Sequence, residues 1–130
     1  MMSIQLDMIG ITCANIAESL RFYRLLDIEI VEPAPGEDHV EAILPSGIRM
    51  AWDSLSLMKD LDPDWVEPRG HRVGLAFLCD GPTAVDSTYK KILDGGFTSK
   101  KEPWDAFWGQ RYALVVDPDG NVIDLFAPLL

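Results

Sequence analysis

The stretch Asp117-Pro118-Asp119-Gly120-Asn121-Val122-Ile123-Asp124-Leu125-Phe126 is a turn followed by a strand. Proline presets φ and glycine accepts positive φ, so Pro118-Asp119-Gly120 closes a tight hairpin between Arg111–Val116 and Val122–Phe126. Leu44-Pro45-Ser46-Gly47 is built the same way between His39–Leu44 and Ile48–Trp52, as an earlier counterpart of Asp117-Pro118-Asp119-Gly120. Two more landmarks keep that order. Glu32-Pro33 returns as Glu102-Pro103, and Met8–Asn15 returns as Val73–Asp80. The spacing between copies grows slowly along the chain, as loop insertions in the second copy would make it. Three landmarks in one order describe a βαβββ unit written twice. A period of about 65 is too long for a solenoid, and two copies point to a fold of paired modules.

The remaining elements fit that unit. Ile4–Cys13 is a short apolar run without proline and predicts a strand buried on both faces. Asn15 caps a helix, with Glu18 where a capping-box acid belongs, and Ile16, Leu20, Tyr23 and Leu26 form its apolar stripe, widened by Phe22. Ile28–Glu32 predicts a second strand, stopped by Pro33-Ala34-Pro35-Gly36. In the second half, Arg72–Leu78 is strand-like and Asp80 sits where Asn15 sat. Pro82–Leu93 predicts a helix ended by Gly95-Gly96, and Phe97–Lys101 a short strand halted at Glu102-Pro103. The expected class is α+β: one domain, residues 1–130, made of a first module over 1–53, a polar linker over 54–70 and a second module over 71–130.

Composition narrows the function. The chain has 130 residues, 48% hydrophobic, with 21 acids against 11 Lys and Arg, a net charge of −10. That is ordinary globular composition, which excludes general disorder. The acidic balance repels a phosphate backbone, so no nucleic-acid partner is expected. Cys13 and Cys79 make no disulfide framework and read as small buried hydrophobes. Met1-Met2-Ser3-Ile4-Gln5 has no basic region leading into an apolar stretch, and no apolar run approaches the roughly 20 residues of a membrane span. A cytoplasmic protein without a membrane partner is the expectation.

With these elements in place, the chain resembles the vicinal oxygen chelate superfamily, which joins glyoxalase, extradiol dioxygenases and bleomycin resistance proteins. The resemblance covers nearly the whole chain. It rests on Met8–Asn15 leading to Ser19-Leu20-Arg21-Phe22-Tyr23, and above all on the tail Asp117–Phe126. Trp108-Gly109-Gln110-Arg111-Tyr112 resembles the antibiotic-binding resistance branch. What the resemblance implies is two βαβββ modules whose curled mixed sheets enclose a cleft, assembled as a homodimer. Catalytic members hold a divalent metal with one ligand from the first and one from the last strand of each module. Carried onto this chain, those positions are Met8, Ala51, Val73 and Asp124. A thioether, a methyl and an isopropyl group offer no donor to a hard or borderline cation, so no metal and no cofactor are expected. His71, lying two residues before Val73, could join Asp124 and His39 in a shifted site, although an exposed position is the plainer expectation for both histidines.

Without a metal, the cleft remains as a binding site for a small molecule. Strand alternation puts Met8, Gly10 and Thr12 on one face, Val73, Leu75 and Phe77 on the matching face of the second module, and Arg49, Ala51, Asp53, Val122, Asp124 and Phe126 with them. The expectation is an apolar trough with one carboxylate, Asp124, which needs Arg49, a backbone donor or a cationic ligand as partner. Trp104, Phe107 and Trp108 crowd one predicted loop, and Trp65 sits in the acidic linker; such rings stack on planar ligands or hold cations. Trp52, opposite Ala51 in parity, reads as core. The candidate ligand-binding residues are therefore Trp104, Phe107, Trp108, Trp65, Met8, Arg49, Phe77 and Asp124. No nucleophile has an obvious base partner, so the sequence leans away from catalysis towards sequestration of a hydrophobic or cationic, antibiotic-like molecule. The alternative is a metal-dependent lyase or dioxygenase using shifted ligands.

Overall fold

A computed structural model describes residues 4–130; Met1–Ser3, part of the leader reading above, lie outside the described residues. The fold is mixed α+β, with one sheet of three strands and one of four. It divides into a first unit through Val66 and a second spanning Glu67–Leu130. Charge divides unevenly between them, with twelve acids against four Lys and Arg in the first unit and nine against seven in the second.

The first unit contains β1 (Met8–Cys13), α1 (Ile16–Arg24), β2 (His39–Ile43), β3 (Arg49–Ser54) and α2 (Leu55–Leu61). Asn15 caps α1 by accepting the Glu18 N–H at 3.1 Å, while the Glu18 carboxylate turns forward to Arg21. The sheet order is β1-β3-β2, with β1 parallel and β2 antiparallel to β3. Paired residues share a face, so Ile11, Trp52 and Val40 point one way and Thr12, Asp53 and His39 the other. The first of these faces forms the core with Leu20, Phe22 and Tyr23 of α1, and Trp52, fully buried, meets Tyr23 at 5.5 Å between ring centres.

Three expectations change here. β1 begins at Met8 rather than Ile4, and Ile4 and Leu6 are exposed. Ile28–Glu32 forms no ladder. Ile28 and Ile30 are buried between exposed neighbours, and the Ile30 carbonyl accepts from the Arg24 guanidinium at 3.0 Å. Its alternation recorded burial, which an unpaired extended segment also satisfies. The expected linker holds α2, whose first turn is capped by Ser54 Oγ accepting from the Leu57 N–H. No residue of α2 is buried, so no apolar stripe announced it.

The second unit contains β4 (Leu75–Leu78), α3 (Pro82–Asp94), β5 (Thr98–Ala106), β6 (Gln110–Val116) and β7 (Val122–Pro128), in sheet order β4-β7-β6-β5. Val85 and Ile92 of α3 are fully buried, as are Ala113, Val115, Ile123, Leu125 and Ala127 on one face of β6 and β7. The residue capping α3 is Gly81, not Asp80, with Pro82 opening the first turn. β5 does not halt at Glu102-Pro103. It passes through them with register shifts between Ser99 and Lys101 and between Lys101 and Trp104. Proline is tolerated because β5 is an edge strand, where a missing N–H leaves no inner ladder incomplete.

The Pro118-Asp119-Gly120 turn is anchored by Asp117, only 3% exposed. Its carboxylate accepts from the Asp119 N–H at 2.9 Å, the Asn121 N–H at 2.8 Å and Asn121 Nδ2 at 2.8 Å. Gly120 takes φ 89°, the left-handed region that glycine accepts without strain. With Asp117 bonded across to Asn121, the pairing of β6 and β7 follows by counting back from the turn: Leu114 with Asp124, and Tyr112 with Phe126.

Candidate functional site

The face of the second sheet turned away from α3 carries two rows of side chains. One row is Trp104 on β5, Tyr112 on β6, Phe126 on β7 and Leu78 on β4; the other is Lys101, Leu114, Asp124 and Ala76 on the same four strands. The first row is a chain of touching rings. Trp104 meets Tyr112 edge-on at 5.5 Å between centres, and Tyr112 stacks on Phe126 at 6.0 Å with 28° between planes. Trp108 joins from the β5–β6 turn, 5.3 Å from Tyr112 and 6.2 Å from Trp104.

That turn explains how the rings are displayed. Gly109 takes φ 91° and its N–H reaches the Ala106 carbonyl at 3.0 Å, which leaves Phe107 and Trp108 at the tip. Trp108 Nε1 donates to Gln110 Oε1 at 2.8 Å, so the indole is held rather than loose. Phe107 lies 5.1 Å from Trp108 and is 97% exposed, and Trp108 is 48% exposed. These rings present apolar, π-rich surface to solvent instead of pinning the turn to the core.

Asp124 sits beside this row and finds its partner within it. The Tyr112 hydroxyl donates to Asp124 Oδ2 at 2.6 Å. Burial, with the Asp124 carboxylate as acceptor and neighbouring charge, pushes the Tyr112 phenol up to about 12. The phenol therefore stays protonated at neutral pH and keeps donating. The other expected partner, Arg49, is engaged within its own unit by Asp7 at 2.6 Å and Glu41 at 2.8 Å.

The structure thus groups Trp104, Phe107, Trp108 and Asp124, four of the eight candidates, and adds Tyr112 and Lys101. Trp104 arrives on a strand, not in a loop. Phe77 is corrected: it pairs with Leu125 and points to the α3 side, opposite Asp124. Val73 is corrected with it. Ala51 pairs with Gly10 and Asp124 with Ala76, so the residue matching Met8 is Gly74, one step beyond Val73. The repeat offset on this strand is one residue longer than the sequence landmarks suggest, which turns Val73, Leu75 and Phe77 away from the face that bears Asp124. Met8 and Arg49 are register partners on the first sheet, and Trp65 belongs to the first unit, just beyond α2. Tyr112 could have been found from the sequence. Counting back from Asp117 and on from Asn121 by equal steps sets it opposite Phe126.

The matching face of the first sheet is not the apolar trough expected. It bears a charged ladder in which His39 Nδ1 bonds Asp53, His39 Nε2 bonds Glu41 at 2.7 Å, and Glu41 also takes Arg49. Hydrogen bonding to Glu41, then to Asp53, raises the His39 pKa against some desolvation. Both ring nitrogens are therefore committed to carboxylates. His71 lies in the exposed segment before β4, outside any strand. Among the described residues, no group of three or more His, Cys, Asp and Glu is arranged to hold a metal ion.

The metal positions that the resemblance implies, corrected for register, are Met8, Ala51, Gly74 and Asp124. Only Asp124 offers a hard donor, and it already accepts from Tyr112. This donor set does not fit a divalent cation, for which three or four nitrogen, oxygen or thiolate ligands are needed.

The family model described as Glyoxalase/Bleomycin resistance protein/Dioxygenase superfamily matches residues 5–125. No curated protein matches. Among solved structures, a glyoxalase/bleomycin resistance protein/dioxygenase family enzyme from Burkholderia phytofirmans PsJN is 19% identical with a TM-score of 0.83, covering 97% of this chain and 100% of that one. A glyoxalase-related enzyme from Fulvimarina pelagi is 18% identical with a TM-score of 0.82, covering 95% of this chain and 87% of that one. A lactoylglutathione lyase from Agrobacterium tumefaciens is more distant in shape, at 17% identity and a TM-score of 0.66, covering 95% and 92%. At these identities the likeness is one of fold. No described helix is long and apolar enough to cross a membrane.

Proposed function

Since the chain belongs to the glyoxalase/bleomycin resistance protein/dioxygenase superfamily and lacks a donor set for its divalent metal, we propose that it binds and sequesters a planar, hydrophobic or cationic small molecule without a metal. One observation carries this reading: the row Trp104, Tyr112 and Phe126, with Trp108 at its edge and the Asp124 carboxylate beside it. Soluble surfaces rarely leave so much aromatic area in one place without a use for it. Rings that meet both edge-on and stacked offer edges and faces to a planar ligand, and each good aromatic contact contributes about 0.5–1.5 kcal/mol beyond its buried area. Asp124 adds a preferred position for positive charge.

The test is titration of the chelator-treated protein with planar aromatic compounds, neutral and cationic, followed by tryptophan fluorescence and by the indole N–H signals. The expected result is saturable binding that moves the Trp104 and Trp108 signals and leaves that of buried Trp52 in place. W104A and W108A should each weaken it roughly two- to tenfold. Binding that disappears on removing metal and returns with one divalent ion per chain would overturn the reading, as would no saturable response at millimolar ligand.

A further inference from the structure

The Lys101 ammonium lies over the Trp104 ring, 4.1 Å from its centre. How it reaches that place is specific to β5. Lys101 pairs with Leu114 and Trp104 with Tyr112, so three steps along β5 correspond to two along β6. In a regular strand, residues three apart point to opposite faces. The irregularity between them places both on the aromatic face and lets the lysine fold back onto the indole. On that face Lys101 and Asp124 stand on either side of Leu114 in one row, two strand spacings or about 10 Å apart.

We infer that Lys101 is a built-in occupant of a cation subsite on Trp104, and that the ligand class this site selects is a planar organic cation that must displace it. This rests on the binding reading above and goes further, since that reading leaves the charge of the ligand open. A tryptophan face is the strongest of the aromatic cation acceptors, and here it already holds one. A ligand cation takes over that face, beside Tyr112 and Trp108, whose rings stand at 61° and 90° to the Trp104 plane. The displaced ammonium returns to solvent, which it tolerates because its stem is flexible and its head well hydrated. The lysine thereby guards the site against weak cations and tunes its affinity.

The probes are N-methylquinolinium and quinoline, matched in shape and differing in charge at pH 7.5. Dissociation constants are measured for both with the full chain, its K101M variant and its K101R variant, using the Trp104 and Trp108 indole signals. The expected result is that K101M raises the ratio of cation to neutral affinity about two- to fivefold, the size of one exposed cation–π contact, while K101R does not. A ratio unchanged or lowered in K101M overturns the inference. If quinoline binds at these indoles and the ratio does not rise, only this inference falls. If neither probe moves them in any of the three proteins, the binding reading falls with it.

Discussion

Asp117→Ala should be the most damaging single change to any turn in this chain. The side chain is 3% exposed and accepts three hydrogen bonds of 2.8–2.9 Å, two from the backbone N–H groups of Asp119 and Asn121 and one from Asn121 Nδ2. Bonds to an ionised acceptor contribute about 1.5–3 kcal/mol each. The full sum is not lost, because Asp119 and Asn121 lie near the surface and water replaces part of it. A cost of about 3 kcal/mol is the reasoned magnitude. Asp117→Asn keeps the shape but turns an amide donor towards the Asn121 side chain, so about 1.5–2 kcal/mol is expected. The first-unit turn supplies the comparison. There the matching residue is Leu44, and Ser46 Oγ offers only a 3.4 Å contact to the Ile48 N–H. Ser46→Ala should therefore cost less than about 0.5 kcal/mol. Urea unfolding with unchanged slope, and a melting point lower by about 10 °C for Asp117→Ala, are the readouts. A loss for Asp117→Ala no larger than that of an ordinary surface substitution, or parity with Ser46→Ala, would falsify the claim that this carboxylate sets the hairpin and hence the register of the aromatic row.

Two other outcomes follow from the charged and phenolic groups. Because its bonds to Glu41 and Asp53 raise the His39 pKa above 6.5, the stability His39 adds is complete below pH 6.5 and is lost as pH rises through the raised value. The urea midpoint of wild type minus H39N should accordingly decline between acidic and mildly alkaline pH, and a flat difference would sink this account. The Tyr112 phenol, raised from 10.0 to about 12, stabilises the protonated folded state, so the fold should weaken as pH climbs from 10 to 12. Y112F should abolish the late component of the ultraviolet tyrosinate titration; its persistence in Y112F would assign that component to another tyrosine.

Much of this fold is legible in the sequence. Asn15 caps α1, Gly96 stands beyond α3 at φ 90°, and both Pro-x-Gly turns close where their sequences say. These are local matters, governed by which φ a residue accepts and which side chain reaches an orphan N–H. Where pairing decided the outcome, the sequence was a poorer guide. Ile28–Glu32 alternates like a strand but pairs with nothing in a ladder, and Glu102-Pro103 looked like a stop yet lies inside β5. Burial and β-pairing both produce period-two patterns, and only a neighbouring strand distinguishes them.

The candidate site shows the same division. Composition and motif single out Trp104, Trp108 and Asp124, which the structure brings onto or beside one sheet face, and Met8 and Ala51 carry no donor for a divalent cation. Register decided the rest. The two halves match one residue further along than their landmarks suggest, so Phe77 and Val73 face away from Asp124, because each step along a strand reverses the side chain. The hydrogen bond from Tyr112 to Asp124 joins two strands, and Lys101 closes over Trp104 only because the edge strand between them is irregular. Sequence by itself determined the mixed α+β class, the Asn15 cap, both Pro-x-Gly turns, and the apolar side chains at Met8 and Ala51. Tertiary structure alone decided which side chains share a face, since that depends on strand register, bulges and partners that no local pattern encodes.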